Sequence, residues 1–223
     1  PLMSLMFCFN SPQNDDDKMH IIMINIKNAL SFHYAPKPIN DAYSEEVYNN
    51  YFESIDPTKK YFLQSDMDEF AKHRNLLDDY LNKGDLIFYK QTIDRLYERV
   101  DEIDKMTQDI FSKPINLDEN EEFILEPKLK NHPANKKELY DEWKKYIKYN
   151  ILQEIETMTS KEEAQKEKRD SVIAHRLKDT INVKTLSLEE KKNKATEEIK
   201  ELISHTFKRF KKRKKMDWFS VYM

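Results

Sequence analysis

A chain of 223 residues with 39% apolar and 12% aromatic side chains can bury a sizeable core, as one large domain or two small ones, while 35% charged residues require a polar outer face on every element. A formal charge of −3 gives no global basic field toward nucleic acid or an acidic membrane, and a single cysteine, Cys8, excludes an intramolecular disulfide or a cysteine-based zinc site. A single glycine, Gly84, leaves almost no room for the phosphate-cradling loops, nucleophile elbows and oxyanion-hole turns that need residues at positive φ.

In chain order, Pro1 to Phe9 is an uncharged apolar run with no initiator methionine. It is too short to cross a bilayer and has the look of the end of a signal-peptide h-region. The alternative is a disordered tail bounded by Asn14-Asp15-Asp16-Asp17, so residues 1–17 read as an apolar leader remnant or a disordered tail. A lipid anchor at Cys8 fits less well, because Phe7 stands where a lipobox wants a small residue.

From Asp17 the apolar residues recur at helical spacing. Ile22, Ile26, Ala29, Leu30 and Tyr34 predict a first helix over about 17–34, stopped by Pro36 and Pro38. Asp41 or Ser44 can cap a second helix, whose broad apolar face is Val47, Tyr48, Tyr51, Phe52 and Ile55. Asp56-Pro57 closes it and opens a turn, with Asp56 as N-cap. Ser65 with Asp68 resembles a capping box for a third helix carrying Met67, Phe70, Leu77 and Leu81 and ending at Gly84.

A long helix then runs toward Phe111 on Leu86, Ile93, Leu96, Tyr97, Val100 and Ile103. Pro114, Pro127 and Pro133 make 113–134 a loop, with one helical turn expected around Glu119–Phe123; this loop is the candidate mobile or partner-facing segment. Leu139, Trp143, Ile147, Ile151 and Ile155 give the cleanest helical face, followed by a solvated charged stretch from Lys161 to Asp170. Ser187 with Glu190 forms a second capping box before Ile199, Leu202, Ile203, Thr206, Phe207 and Phe210. No segment alternates over strand length and no fixed repeat period appears. The fold class is therefore all-α, an irregular multi-helix bundle with no significant sheet.

The chemistry-bearing residues have ordinary structural readings. Glu69–His73 and Glu201–His205 have the i,i+4 spacing of a helical metal pair, but with 41 acidic residues such pairs arise by chance, and surface ion pairing is the default. Ser44, Ser65 and Ser187 are accounted for by capping. The basic run Lys208 to Lys215 could contact phosphates, yet it wraps around a helix, and a helix end with an acidic intramolecular partner is the preferred reading. Tyr43, Tyr48, Tyr51, Phe52, Tyr61 and Phe62 are read as core. No catalytic, cofactor-binding or metal-ligating residue is assigned, and no cofactor.

The ordered string His33-Tyr34-Ala35-Pro36-Lys37-Pro38-Ile39-Asn40-Asp41-Ala42-Tyr43-Ser44, continued by Ser54-Ile55-Asp56-Pro57-Thr58-Lys59-Lys60-Tyr61-Phe62-Leu63-Gln64-Ser65-Asp66, resembles the N-terminal domain of tail-specific proteases, the carboxyl-terminal processing peptidases. Leu76-Leu77, Lys83-Gly84-Asp85, the Trp143 helix and Asp217-Trp218-Phe219-Ser220-Val221-Tyr222-Met223 continue the likeness, which covers about 19–223 and is weakest over 160–200.

The resemblance implies that 18–216 is a non-catalytic helical domain and that 217–223 starts the exit helix toward PDZ and protease regions. It implies a periplasmic parent, membrane-associated if its N-terminal signal or an anchor is retained, whose Ser-Lys dyad lies beyond Met223. That serine protease would process proteins selected by apolar C-terminal tails, and this part would help to enclose substrate or dock an adaptor, a lipoprotein being one candidate. The alternative is a free-standing helical binding module using 208–215 for nucleic acid or an acidic protein, the nucleic acid being the less favoured partner.

Overall fold

The computed structural model describes residues 14–174 and 185–223, and all of its regular structure there is helical, as the periodicity requires. The helices are α1 Asp15–Ser31, α2 Asp41–Ile55, α3 Gln64–Ala71, α4 Leu77–Lys83, α5 Ile87–Phe111, α6 Lys136–Ala174, α7 Leu188–Lys212 and α8 Lys215–Tyr222, with one 3₁₀ turn at Pro127–Leu129. The apolar run at 1–9, with Cys8, and residues 175–184 lie outside the described residues. None of the described helices is long and apolar enough to cross a membrane. The chain divides into two compact units, one of residues up to Arg99 together with Arg213–Met223, the other of Val100–Lys212.

The first unit is closed by aromatic packing. Tyr48, Tyr51 and Phe52 lie on one face of α2 because their spacing of three and four returns them to the same side, and all three are buried. Tyr51 meets Phe88 at 5.5 Å and Tyr222 at 5.3 Å, while Phe52 meets Phe62 at 5.8 Å and Phe70 at 5.7 Å. The Tyr51 hydroxyl donates to Thr92 Oγ1 at 2.9 Å, and the Thr92 hydroxyl donates in turn to the Phe88 carbonyl, so both of these buried hydroxyls are satisfied. Tyr43 and Tyr61 are only half-buried.

Several local signals resolve differently from their sequence expectations. α1 stops at Ser31, three residues early, since the Phe32 N–H bonds the Asn28 and Leu30 carbonyls; Tyr34, expected on its apolar face, is fully exposed, and Met19 and Met23 are its buried residues. Asn40 rather than Asp41 or Ser44 caps α2, accepting the Tyr43 N–H at 3.2 Å. Ser44 instead accepts the Asp78 N–H at 2.8 Å and donates to the Asp78 carboxylate at 2.7 Å, thereby capping the first turn of α4 from another helix.

That remote cap explains why the single helix expected over 65–84 is two. The chain breaks after Ala71 and restarts at Leu77, where the orphan Asp78 N–H finds Ser44. Ser65 and Asp68 do not form the cap of α3. Asp66 accepts the Leu63 N–H at 2.9 Å, and the Gln64 side chain takes Asp68. Asp56 opens a turn, as expected, but its carboxylate caps no helix; it gathers the N–H groups of Lys60, Tyr61 and Phe62 and so seats Phe62 in the core.

Asp66 is fully buried. Arg99 grips it with Nε at 2.7 Å and Nη2 at 2.9 Å, and Arg95 adds Nη1 at 2.5 Å. Burial alone would raise this carboxyl, but the donors from Arg99, Leu63 and Arg95 outweigh it and hold it below the ordinary carboxylate value.

Gly84 ends α4 at φ 67°, in the left-handed region that glycine adopts most cheaply. The His20 ring of α1 lies where a Cβ would stand, 2.3 Å away, and its Nδ1–H donates to the Gly84 carbonyl at 3.0 Å. One glycine thus serves a helix end and a helix contact. At the other end of this unit, the Tyr97 and Tyr89 hydroxyls donate to the carbonyls of Arg213 and Lys215, fixing the chain as it enters α8.

The second unit rests on aliphatic periodicity. Leu139, Trp143, Ile147 and Ile151 are buried at four-residue steps along α6, and Ala195, Ile199, Ile203 and Phe207 do the same along α7. Trp143 meets Phe207 at 5.6 Å, while Lys191 reaches Thr159 at 3.0 Å and Glu162 at 2.7 Å. Rising numbers on one helix thus meet falling numbers on the other, and the pair is antiparallel. α6 is continuous through the charged stretch, whose described side chains from 161 to 168 are mostly exposed. Ser187 and Glu190 form the expected reciprocal cap of α7.

Candidate functional site

The prolines at 114, 127 and 133 remove backbone donors and restrict the residues before them, so the chain between α5 and α6 cannot become a helix. The helical turn expected at Glu119–Phe123 is absent; the one turn that forms is the 3₁₀ turn at Pro127–Leu129, where Pro127 occupies the first helical position and needs no donor.

The loop is nevertheless fastened. Lys148 of α6 is buried and binds Glu119 at 2.5 Å and Glu121 at 3.1 Å. Burial would lower the Lys148 ammonium, but the two carboxylates outweigh it and raise its pKa, so it stays charged. Phe123 packs on Tyr149 at 5.4 Å, and Lys130 lies over the Phe123 ring at 5.2 Å while pairing with Glu142 at 2.6 Å. Asn135 and Glu138 cap α6 reciprocally, Glu138 taking the Ala134 N–H at 2.9 Å. At the loop's start Tyr140 donates to Asp109 at 2.8 Å and Lys113 pairs with the same carboxylate at 2.5 Å.

Against these anchors the loop turns apolar side chains outward. Ile124 is 47% exposed, Leu125 60% and Leu129 73%. Beside Ile124 lies a concavity of about 330 Å³, whose wall includes Lys130, His132, Pro133, Asp141 and Lys145. Exposed aliphatic groups on a fastened loop, ringed by charges of both signs, are the chemistry of a protein contact, apolar at its centre and polar at its rim. The sequence marked this loop as a candidate mobile or partner-facing segment but singled out none of these three residues, because a lone apolar pair in a loop has no period to mark it. The adjacency Ile124-Leu125 among prolines and carboxylates was the available signal.

The other sequence candidates fall elsewhere. His73 is not a surface ion pair with Glu69: it is buried, with Nε2–H donating to Gln91 at 2.9 Å and Nδ1 accepting from the Tyr80 hydroxyl at 2.7 Å, while Glu69 pairs with Arg95 at 3.2 Å. Glu201 and His205 are exposed on α7. Among the described residues no three His, Cys, Asp or Glu side chains gather as a metal site. Within the basic run, Lys211 bridges Asp101 at 2.9 Å and Asp104 at 2.6 Å, the Arg213 guanidinium covers the Trp218 ring at 3.7 Å, and Lys215 pairs with Asp94.

Comparison with known proteins bears on the whole chain. The family model described as the tail specific protease N-terminal domain matches residues 26–223. A tail-specific protease of Haemophilus influenzae is 38% identical over 72 residues, which is 30% of this chain and 10% of that protein. The match thus spans about a tenth of the length of the curated relative.

Proposed function

Since the chain belongs to the tail specific protease N-terminal domain family, we propose that it is a non-catalytic part of a periplasmic tail-specific serine protease, and that its α5–α6 loop is where polypeptide substrate or an adaptor docks. The observation that carries this reading is the outward display of Ile124, Leu125 and Leu129 on a loop that Lys148 and Lys130 hold in place. A loop fastened in this way offers its apolar groups without the ordering cost that a floppy segment meets on binding. The Ser-Lys dyad and the PDZ region belong to other parts of such a parent. This part contributes capture and enclosure.

The test uses the full 223-residue chain and an unfolded polypeptide ending in an apolar tail. Fluorescence anisotropy is expected to show binding that weakens at least about tenfold in Leu125→Asp/Leu129→Asp, with unchanged helical circular dichroism, since both residues already face solvent. Unchanged affinity would remove the loop from the proposal, and cleavage of the polypeptide by the purified chain would overturn the non-catalytic assignment.

A further inference from the structure

The basic end of α7 is only partly used within its own unit. Lys211 closes on Asp101 and Asp104, and Lys208 lies near the same Asp104. On the side of the helix opposite the buried Ile203 and Phe207, Leu202, His205, Arg209 and Lys212 follow one another at spacings of three, four and three, which makes them one straight stripe about 15 Å long. Leu202 is 58% exposed, and the other three are exposed as well. The His205, Arg209 and Lys212 side chains have no hydrogen-bond or ion-pair partner among the described residues.

Cations near a helix C-terminus offset its dipole whichever way they point, so the dipole does not explain why two of them line up with an exposed leucine. Nor does pairing within the helix: from Leu202 to Met216 the chain has no Asp or Glu, although it holds 41 of them. The stripe is also bounded. Glu198 and Glu201 stand one turn before it, Glu198 with only the exposed Lys194 at 3.8 Å. A nucleic-acid backbone or an anionic bilayer reaches beyond 15 Å and would run onto those carboxylates, on a chain of formal charge −3. The stripe offers bases no aromatic ring to stack on, and a bilayer only one aliphatic side chain. A short helix fits it, with carboxylates at spacings of three and four and an aliphatic residue one turn away.

We propose that Leu202, His205, Arg209 and Lys212 dock an acidic amphipathic helix of another protein. Leu202 is the apolar anchor, and Arg209 and Lys212 select the carboxylates and set the register. Exposed ion pairs orient a partner more than they hold it, and one helix face falls in the small-interface class, below about 1,200 Å². The complex is therefore weak and sensitive to salt. The stripe shares no residue with the α5–α6 loop, so the two proposals stand or fall separately.

The probe is a labelled helical peptide of about fourteen residues, with three glutamates at spacings of three and four and a leucine one turn beyond them. Its anisotropy, titrated with the full chain to about 300 μM, should show saturable binding that weakens severalfold between about 20 and 150 mM salt. Arg209→Glu/Lys212→Glu should raise the Kd at least about tenfold with helical circular dichroism unchanged, because both side chains already face solvent. Lys161→Glu/Lys168→Glu makes the same change of net charge on α6 and should leave the Kd within about twofold. Leu202→Ser should weaken binding about threefold, and a peptide with lysines in place of the glutamates should bind the Arg209→Glu/Lys212→Glu chain. Absence of binding overturns the proposal, as does an equal loss in the α6 control or a failure of the lysine peptide to recover the reversed chain. Tighter binding of a DNA duplex or of phosphatidylglycerol vesicles, lost in Arg209→Glu/Lys212→Glu, would give the stripe to that surface and overturn it as well.

Discussion

In the unit built on α1–α4 and α8, polar side chains seat backbone and buried charge, some of them across long sequence distances: Ser44 on the first turn of α4 and Arg99 and Arg95 on Asp66, with Asp56 holding the nearby Lys60–Phe62. In the unit of α6 and α7 the contacts are aliphatic side chains at four-residue steps, joined by lysines that cross from one helix to the next segment. The first arrangement depends on single groups that have no substitute. The second distributes its stability over a repeating seam. The two tryptophans of the chain, Trp218 in the first unit and Trp143 in the second, report on them separately.

The largest effect is expected at Asp66. Asp66→Ala leaves Arg99 buried without its carboxylate, a loss of about 3–5 kcal/mol, because an uncompensated buried charge costs more than the pair contributed. Urea titration followed by Trp218 in a Trp143→Phe background should show it, with a smaller displacement of Trp143 in a Trp218→Phe background. Equal displacement of both signals would show that the contrast between the units does not extend to their unfolding.

Next is Ile147→Ala in the aliphatic seam, which removes a fully buried side chain and should cost about 3 kcal/mol through lost transfer free energy and a residual cavity. Ile147→Val should cost only about 1 kcal/mol, since most of the volume is retained. A seam that distributes its stability tolerates the second change. If both variants unfold at the same urea concentration, the seam is not packed as the periodicity implies.

Gly84→Ala should cost about 1–2 kcal/mol, combining a left-handed backbone position with the approach of His20. His20→Ala in the same chain should recover the steric part but not the backbone part. Full recovery would mean that φ 67° carries no penalty here, and no recovery would mean that the His20 ring gives way freely.

The contrast also explains what could be read from the sequence. Helix spacing found α5, the start of α6, and α7 with its Ser187–Glu190 cap, because their determinants lie within three or four residues of one another. It joined α3 to α4 and gave Ser44 to the wrong helix because the partner that decides both lies 34 residues away, and Arg99, which holds Asp66, lies 33 away. At the end of α1, at Asp56 and at Ser65 the partners are local, but backbone and turn bonds rather than apolar spacing decide the outcome. Periodicity is local, and a remote hydroxyl or guanidinium leaves no trace in it. The α5–α6 loop was legible as a loop from its prolines; that Ile124, Leu125 and Leu129 face outward depends on where Lys148 and Lys130 pull the chain.

The smallest expected effect is a pH dependence confined to the first unit. Burial lowers the His73 pKa from its usual 6.5, and Lys72 adds to this, against opposing contributions from the Gln91 hydrogen bond, Glu69 and Asp85. Folded His73 therefore binds a proton less readily than unfolded His73. Its contribution to stability is complete above pH 6.5 and is lost as pH falls through the lower folded value. Asp66, held below the ordinary carboxylate value, keeps its contribution through neutral pH and loses it only as pH falls below the carboxylate range. Urea midpoints read from Trp218 should fall between about pH 7.5 and pH 5, and His73→Gln, which cannot titrate, should flatten that slope while lowering the midpoint at neutral pH. An unchanged slope in His73→Gln would assign the dependence to another group, and the same slope in the Trp143 signal would assign it to the other unit.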